Sequence, residues 1–286
     1  MIDPYGGSMP HRFRHSVCNE LYGDRPFAET CKAIREAGYT GIEVAPFTLA
    51  EDPAAIPPPE RCRLRAAIVD AGLQFVGLHW LLVSPQGLHV TTPDRALREK
   101  SWEYVRRLTD LCADLGPAGV MVFGSPKQRS ATGGLSPAEA SQHLAEGLGQ
   151  LGAHALERGV TVLLEPLSPG QTDVVTSLDE AAALVLQVGS PAIRTMFDCH
   201  NAVAEREPHP ALLERHFELI RHVHLNEMDG RRPGTGAYDF KPLLEVLARR
   251  GYQGWLSLEV FDFSAGADGI ARDSLGYVES EIARLV

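Results

Sequence analysis

One rhythm governs this chain. Eight times a short apolar run, rich in Val, Ile and Leu, is followed by a longer amphipathic stretch. The runs at 14–19, 41–45, 74–79, 119–123, 160–165, 193–198, 221–225 and 255–260 read as strands. They are continuous rather than alternating, as expected of parallel strands buried on both faces. The stretches at 26–37, 57–71, 93–115, 137–158, 178–188, 210–219, 240–250 and 268–285 read as helices. Gly38, Gly72, Gly116, Gly159, Gly189 and Gly251 stand just beyond helix ends, and prolines fall near helix starts, the usual capping asymmetry. Eight βα units predict an α/β fold whose parallel sheet closes into a single-domain (β/α)8 TIM barrel. A doubly wound open sheet is the alternative, but no GxGxxG follows the first strand.

The 286 residues suit that reading, because barrels of about 250 residues form one unit. Residues 1–12 read as a flexible leader without the apolar segment of a secretory signal, and 13–286 as the catalytic barrel. Two connections are long. The proline-rich 46–59 reads as rigid, and 124–136, with Lys127, Arg129 and three glycines, as a flexible lid. The 27 basic and 37 acidic residues give a net charge of −10, which lacks the footprint of a general nucleic-acid binder. No apolar run reaches the ~18 residues of a membrane helix. Five scattered cysteines without CxxC spacing suggest a reducing, cytoplasmic setting and no thiolate metal knot.

Barrel chemistry sits at the C-terminal ends of strands. There the apolar runs close on polar residues: Glu43 in GIEVA, His79 in VGLHW, Glu165 in TVLLEPL, Asp198 and His200 in TMFDCHN, His222 and His224 in RHVHLNE, Glu259 in LSLEVF. Glu165, Asp198, His224 and Glu259 end four consecutive strands, five to eight. Three carboxylates and an imidazole in one confined place repel one another unless a divalent cation joins them. The donor set suits one ion, Mn²⁺ ahead of Mg²⁺, Co²⁺ or Zn²⁺. Separate pairing of each acid with an arginine or a helix N-terminus is the plainer alternative. His222 shares a face with His224 but lies deeper, which predicts a hydrogen-bonded rather than ligating role. His79 beside the apolar wall of Trp80, His200, Glu43, Lys127 and Arg231 are candidate substrate contacts. Lys127 and Arg129 with Arg231 and Arg232 also leave a phosphorylated ligand open.

The segments GYTGIEVAPF, LLEPL, FDCHN, HVHLNE with PGTG, and LSLEVF carry a further likeness. Together they resemble the xylose-isomerase-like barrel superfamily of sugar (phosphate) isomerases and epimerases, nearest to its D-tagatose 3-epimerase branch. The likeness covers nearly all of the chain after residue 12. It implies one divalent ion on Glu165, Asp198, His224 and Glu259, the two glutamates as the acid/base pair, and dimers or tetramers. Three positions depart from that branch: Asp198 is followed by His200 at a shorter spacing, Gln171 stands where a second glutamate is usual, and Gly230 shifts Arg231. A zinc endonuclease on the same barrel is disfavoured, because VMVFGSP has no histidine and Arg231 stands where one would ligate.

The expected chemistry is proton transfer beside a carbonyl of a ketose or ketose phosphate through an enediolate, giving an epimer or an aldose–ketose isomer. An inosose dehydratase-like lyase on the same site and a non-catalytic sugar-binding barrel are the alternatives.

Overall fold

The computed structural model describes residues 12–285. Its strands are β1 (Arg14–Cys18), β2 (Gly41–Val44), β3 (Gln74–Leu78), β4 (Val120–Phe123), β5 (Thr161–Leu164), β6 (Ile193–Asp198), β7 (Ile220–Leu225) and β8 (Trp255–Leu258). Each runs parallel to the next, and β1 pairs with β8, Arg14 opposite Trp255 and Val17 opposite Leu258. The ladder therefore has no edge, and the closed TIM barrel read from the βα rhythm is what forms. At Gly77 a Cβ would lie 2.2 Å from the Val120 carbonyl oxygen, so only glycine lets β3 and β4 approach this closely.

The helices are α1 (Phe27–Glu36), α2 (Pro58–Asp70), α3 (Arg95–Leu115), α4 (Pro126–Arg129), α5 (Pro137–Glu157), α6 (Leu178–Val188), α7 (His209–His216), α8 (Lys241–Arg249) and α9 (Ala267–Ile282). Their boundaries follow local chemistry. Asp94 and Ser177 cap α3 and α6 by accepting from Leu97 N and Glu180 N, and Ser136 with Glu139 forms a capping box on α5. Helix and strand apolar faces merge into the outer core, with Val17, Ile42, Leu78, Phe123 and Leu164 buried. Val122, Leu163 and Met196 form a separate small cluster that no helix residue joins.

Two expectations change, and a third gains detail. The helix expected over 210–219 stops at His216 and tightens into a 3-10 turn, Phe217–Leu219. The connection at 46–59 contains two proline-led 3-10 turns. The segment 124–136 is no open lid, because α4 forms inside it and Arg129 is fully buried. The leader expected over 1–12 lies outside the described residues except for Arg12. All five cysteines are free. Among the described residues, no helix is long and apolar enough to cross a membrane.

Candidate active site

Closure brings strand ends that are remote in sequence onto one axis. Glu165 and Glu259 sit one residue beyond β5 and β8, while Asp198 closes β6 and His224 lies in β7. One ligand atom from each of the four lies within 4.8 Å of the others, and all four residues are buried. Donor atoms on opposite sides of one ion at ~2.1–2.3 Å would stand about 4.2–4.6 Å apart, so the cluster is close to the size of a single cation. His224 Nδ1 lies 3.0 Å from Glu259 Oε2, 3.4 Å from Asp198 Oδ2 and 4.0 Å from Glu165 Oε1. Yet this buried nitrogen has no aligned hydrogen bond. An imidazole nitrogen with no aligned hydrogen bond among three carboxylates fits a metal ligand, since a divalent cation would replace the proton that Glu43, Glu259 and Asp198 otherwise hold on the ring against the cost of burial.

The opposite side of that ring fixes its orientation. His224 Nε2 lies 3.1 Å from Glu43 Oε1, and His222 Nε2 lies 2.8 Å from Glu43 Oε2. Glu43, expected as a substrate contact from its strand-end position, is wholly buried and lies off the described cavity wall. It works behind the cluster, where a proton on each facing Nε2 leaves His224 Nδ1 free to ligate. Burial opposes ionisation of Glu43, but His222 and His224 more than offset it and hold the carboxyl well below its usual range. His222 occupies the deeper, hydrogen-bonded place.

The carboxylates are also tied. Asp198 accepts from the Asn201 backbone N–H at 2.7 Å and from Asn226 Nδ2 at 3.1 Å. Glu165 Oε1 accepts from Asn201 Nδ2 at 2.9 Å, and Glu259 Oε1 from the Trp80 indole N–H at 3.0 Å. Burial, then Glu259 and Asp198, push the Glu165 carboxyl up to about 8, the repulsion that a cation would relieve.

A narrow cavity of about 40 Å³ opens on the two glutamates and is also lined by His79, Trp80, Asn201 and Phe261. Non-glycine residues with left-handed backbone on its wall, Trp80 at φ +53° and Ser125 at φ +48°, mark strain of the kind that concentrates at functional sites. His79 is on this wall, 2.8 Å from Glu20 and 3.7 Å from Glu43. Burial lowers its imidazole, but Glu20 and the neighbouring acids outweigh that and raise it to about 9.

The other expected contacts lie elsewhere. His200 is off the wall, with its Nδ1 2.8 Å from the Met228 carbonyl and its ring 5.1 Å from Phe261. Arg231 is paired with Asp229 at 2.8 Å in a separate groove, and Lys127 is exposed outside the cavity. Arg129 is buried and donates to the carbonyls of Phe123 (3.0 Å), Glu165 (2.7 Å) and Val175 (3.3 Å). Val175 has φ +58°, costly for a β-branched residue, and Arg129 helps hold it there. Arg129→Met would leave these buried acceptors without their donor at ~1–3 kcal/mol each, partly offset by no longer burying a charge. The melting temperature is expected to fall by about 5–10 °C in thermal denaturation, and an unchanged value would contradict the clamp.

Asn201, Asn226, Ser125 and Glu20 escaped the sequence reading. For the two asparagines a signal existed, since each follows a ligand closely in FDCHN and HVHLNE.

The family model described as the xylose isomerase-like TIM barrel matches residues 31–281. The chain belongs to that family. Within it, the chain is 26% identical over 189 residues to a ketose 3-epimerase of Arthrobacter globiformis, covering 64% of this chain and 63% of that one. It is 24% identical over 302 residues to an inosose dehydratase of Klebsiella pneumoniae subsp. pneumoniae, covering 90% and 93%. The crystal structure of the 3-keto-D-glucoside 4-epimerase of E. coli superposes with a TM-score of 0.81 at 20% identity, over 94% of this chain and all of that one. That last likeness shows the shared fold.

Proposed function

We propose that this xylose isomerase-like barrel is a divalent-metal-dependent isomerase of the ketose 3-epimerase or aldose–ketose type, acting on a sugar without a phosphate. The observation that carries this reading is the orphaned His224 Nδ1 among Glu165, Asp198 and Glu259, with both glutamates on the wall of one small cavity. A divalent ion on these four residues, Mn²⁺ ahead of Mg²⁺, Co²⁺ or Zn²⁺, would polarise the substrate carbonyl. One glutamate takes the proton from the carbon beside that carbonyl, and the electron pair moves into the carbonyl to give an enediolate. Return of a proton by the other glutamate to the opposite face gives the epimer, and return to the neighbouring carbon, with that carbon's hydroxyl proton passing to the former carbonyl oxygen, gives the isomer. Trp80 and Phe261 supply an apolar wall for the sugar's C–H surface. No lysine or arginine is among the described residues lining the cavity, which supports an uncharged ketose over a ketose phosphate.

The test is deuterium wash-in. Protein treated with chelator, then reloaded with Mn²⁺, is incubated in D₂O with neutral ketoses, ketose phosphates and inososes, and products are read by mass spectrometry and NMR. Wash-in at one carbon of a neutral ketose, lost on chelation and restored on reloading, is expected. No exchange in the reloaded protein would refute the reading. The whole-length similarity to an inosose dehydratase favours a lyase as second reading. Loss of water from an inosose, without wash-in to ketoses, would establish it. Assembly into dimers or tetramers belongs to the same proposal and is read by light scattering.

A further inference from the structure

The two glutamates of the site are held unequally, and the role that this gives each of them rests on the isomerase reading. Glu259 has both oxygens engaged. Its Oε1 accepts the Trp80 indole N–H at 3.0 Å, and its Oε2 lies 3.0 Å from His224 Nδ1, on the metal side of the cluster. Glu165 uses one oxygen for both tasks. Its Oε1 accepts from Asn201 Nδ2 at 2.9 Å and is also the atom 4.0 Å from His224 Nδ1. Its Oε2 makes no hydrogen bond among the described residues, and Glu165 lines the cavity. Gly124 makes room for that free oxygen, because a Cβ there would lie 2.3 Å from Oε2.

Trp80 sits at φ +53°, a conformation that persists only where the surroundings impose it, and packs edge-on against Phe261 at 6.3 Å. An indole N–H only donates, so the Glu259 oxygen facing it must stay an acceptor and cannot itself carry a proton toward the ring.

We propose that Trp80 is a positioning residue that divides the work of the two glutamates: by holding Glu259 Oε1 it commits Glu259 to the metal side and leaves Glu165 Oε2, in the space opened by Gly124, as the atom that takes the substrate proton. In that step the substrate C–H bond breaks, an O–H bond forms at Glu165 Oε2, and the electron pair enters the adjacent carbonyl. The division concerns the first proton transfer.

The test needs two readouts on the full-length protein. In ¹H–¹⁵N spectra of metal-free protein, Trp80, Trp102 and Trp255 give three indole signals, and Trp80→Phe shows which belongs to Trp80. That signal is expected to shift in Glu259→Gln and to stay in place in Glu165→Gln. In D₂O, with Mg²⁺-loaded protein and D-fructose or D-tagatose, Glu165→Gln is expected to slow wash-in by about 100-fold or more. Gly124→Ala should slow it similarly, with Mg²⁺ binding retained by calorimetry. Trp80→Phe should lower kcat by about 10-fold at little change in KM, and Trp80→His, which restores an N–H, should recover part of the loss. An indole signal that ignores Glu259→Gln overturns the proposal, as does wash-in that survives Glu165→Gln. Wild-type protein that exchanges neither ketose overturns the parent reading, and the division of labour falls with it even where the indole signal behaves as expected.

Discussion

Glu165→Gln is expected to reduce turnover by about two to four orders of magnitude while the chain remains folded. The substitution preserves shape and keeps an oxygen able to accept from Asn201 Nδ2, which now holds Glu165 Oε1 at 2.9 Å. It also removes one of three clustered buried carboxylates, so no new unpaired charge is created. What it removes is the basicity of the oxygen beside Gly124. A metal site that loses one of four ligands weakens but keeps the other three. The decisive comparison is therefore turnover at saturating metal. Near-wild-type turnover there would refute a proton-transfer role for this glutamate. Recovery to wild-type rate by raising metal alone would reduce Glu165 to a ligand and nothing more.

Glu43→Gln is expected to weaken divalent-metal binding by about 10–100-fold, although Glu43 does not line the cavity and is not one of the Glu165, Asp198, His224 and Glu259 group. The carboxylate accepts from both His222 Nε2 and His224 Nε2. A glutamine turns one of its two acceptor atoms into a donor. The amide then favours a His224 that accepts at Nε2 and carries its proton on Nδ1, the nitrogen that must be bare to ligate. Electron paramagnetic resonance titration with Mn²⁺ reads the affinity directly, and ¹⁵N shifts of the His224 ring read the tautomer. Unchanged affinity with an unchanged tautomer would show that the imidazole is oriented by packing alone. Circular dichroism separates either result from unfolding, which matters because Glu43 is completely buried.

Much of the fold was legible because its signals are local and repeated. A continuous apolar run followed by an amphipathic stretch appears eight times, and each instance is complete within about forty residues. The strand ends of Glu165, Asp198, His224 and Glu259 could be placed by the same rhythm, since a parallel barrel makes consecutive strand ends neighbours. The local signal stops short where a side chain's surroundings come from across the barrel. Glu43 reads like a site residue from its strand but lies 179 residues from His222, whose hydrogen bond defines its role. Arg129 reads as a lid cation, yet α4 turns it inward onto carbonyls from two strand ends and the following loop.

The architecture of this protein, and which strand ends carry acid and imidazole, are written in the order of its residues. Hydrophobic periodicity and turn chemistry act over a few residues and need no partner to be read. Folding in three dimensions set which nitrogen of His224 faces the acids, left Glu165 one unbonded oxygen while engaging both of Glu259, and chose the side chains that face the cavity. Those are matters of angle and of contacts closed across the barrel, such as Trp80 against Glu259. Register and ring closure set them together, and no local stretch of chain contains them.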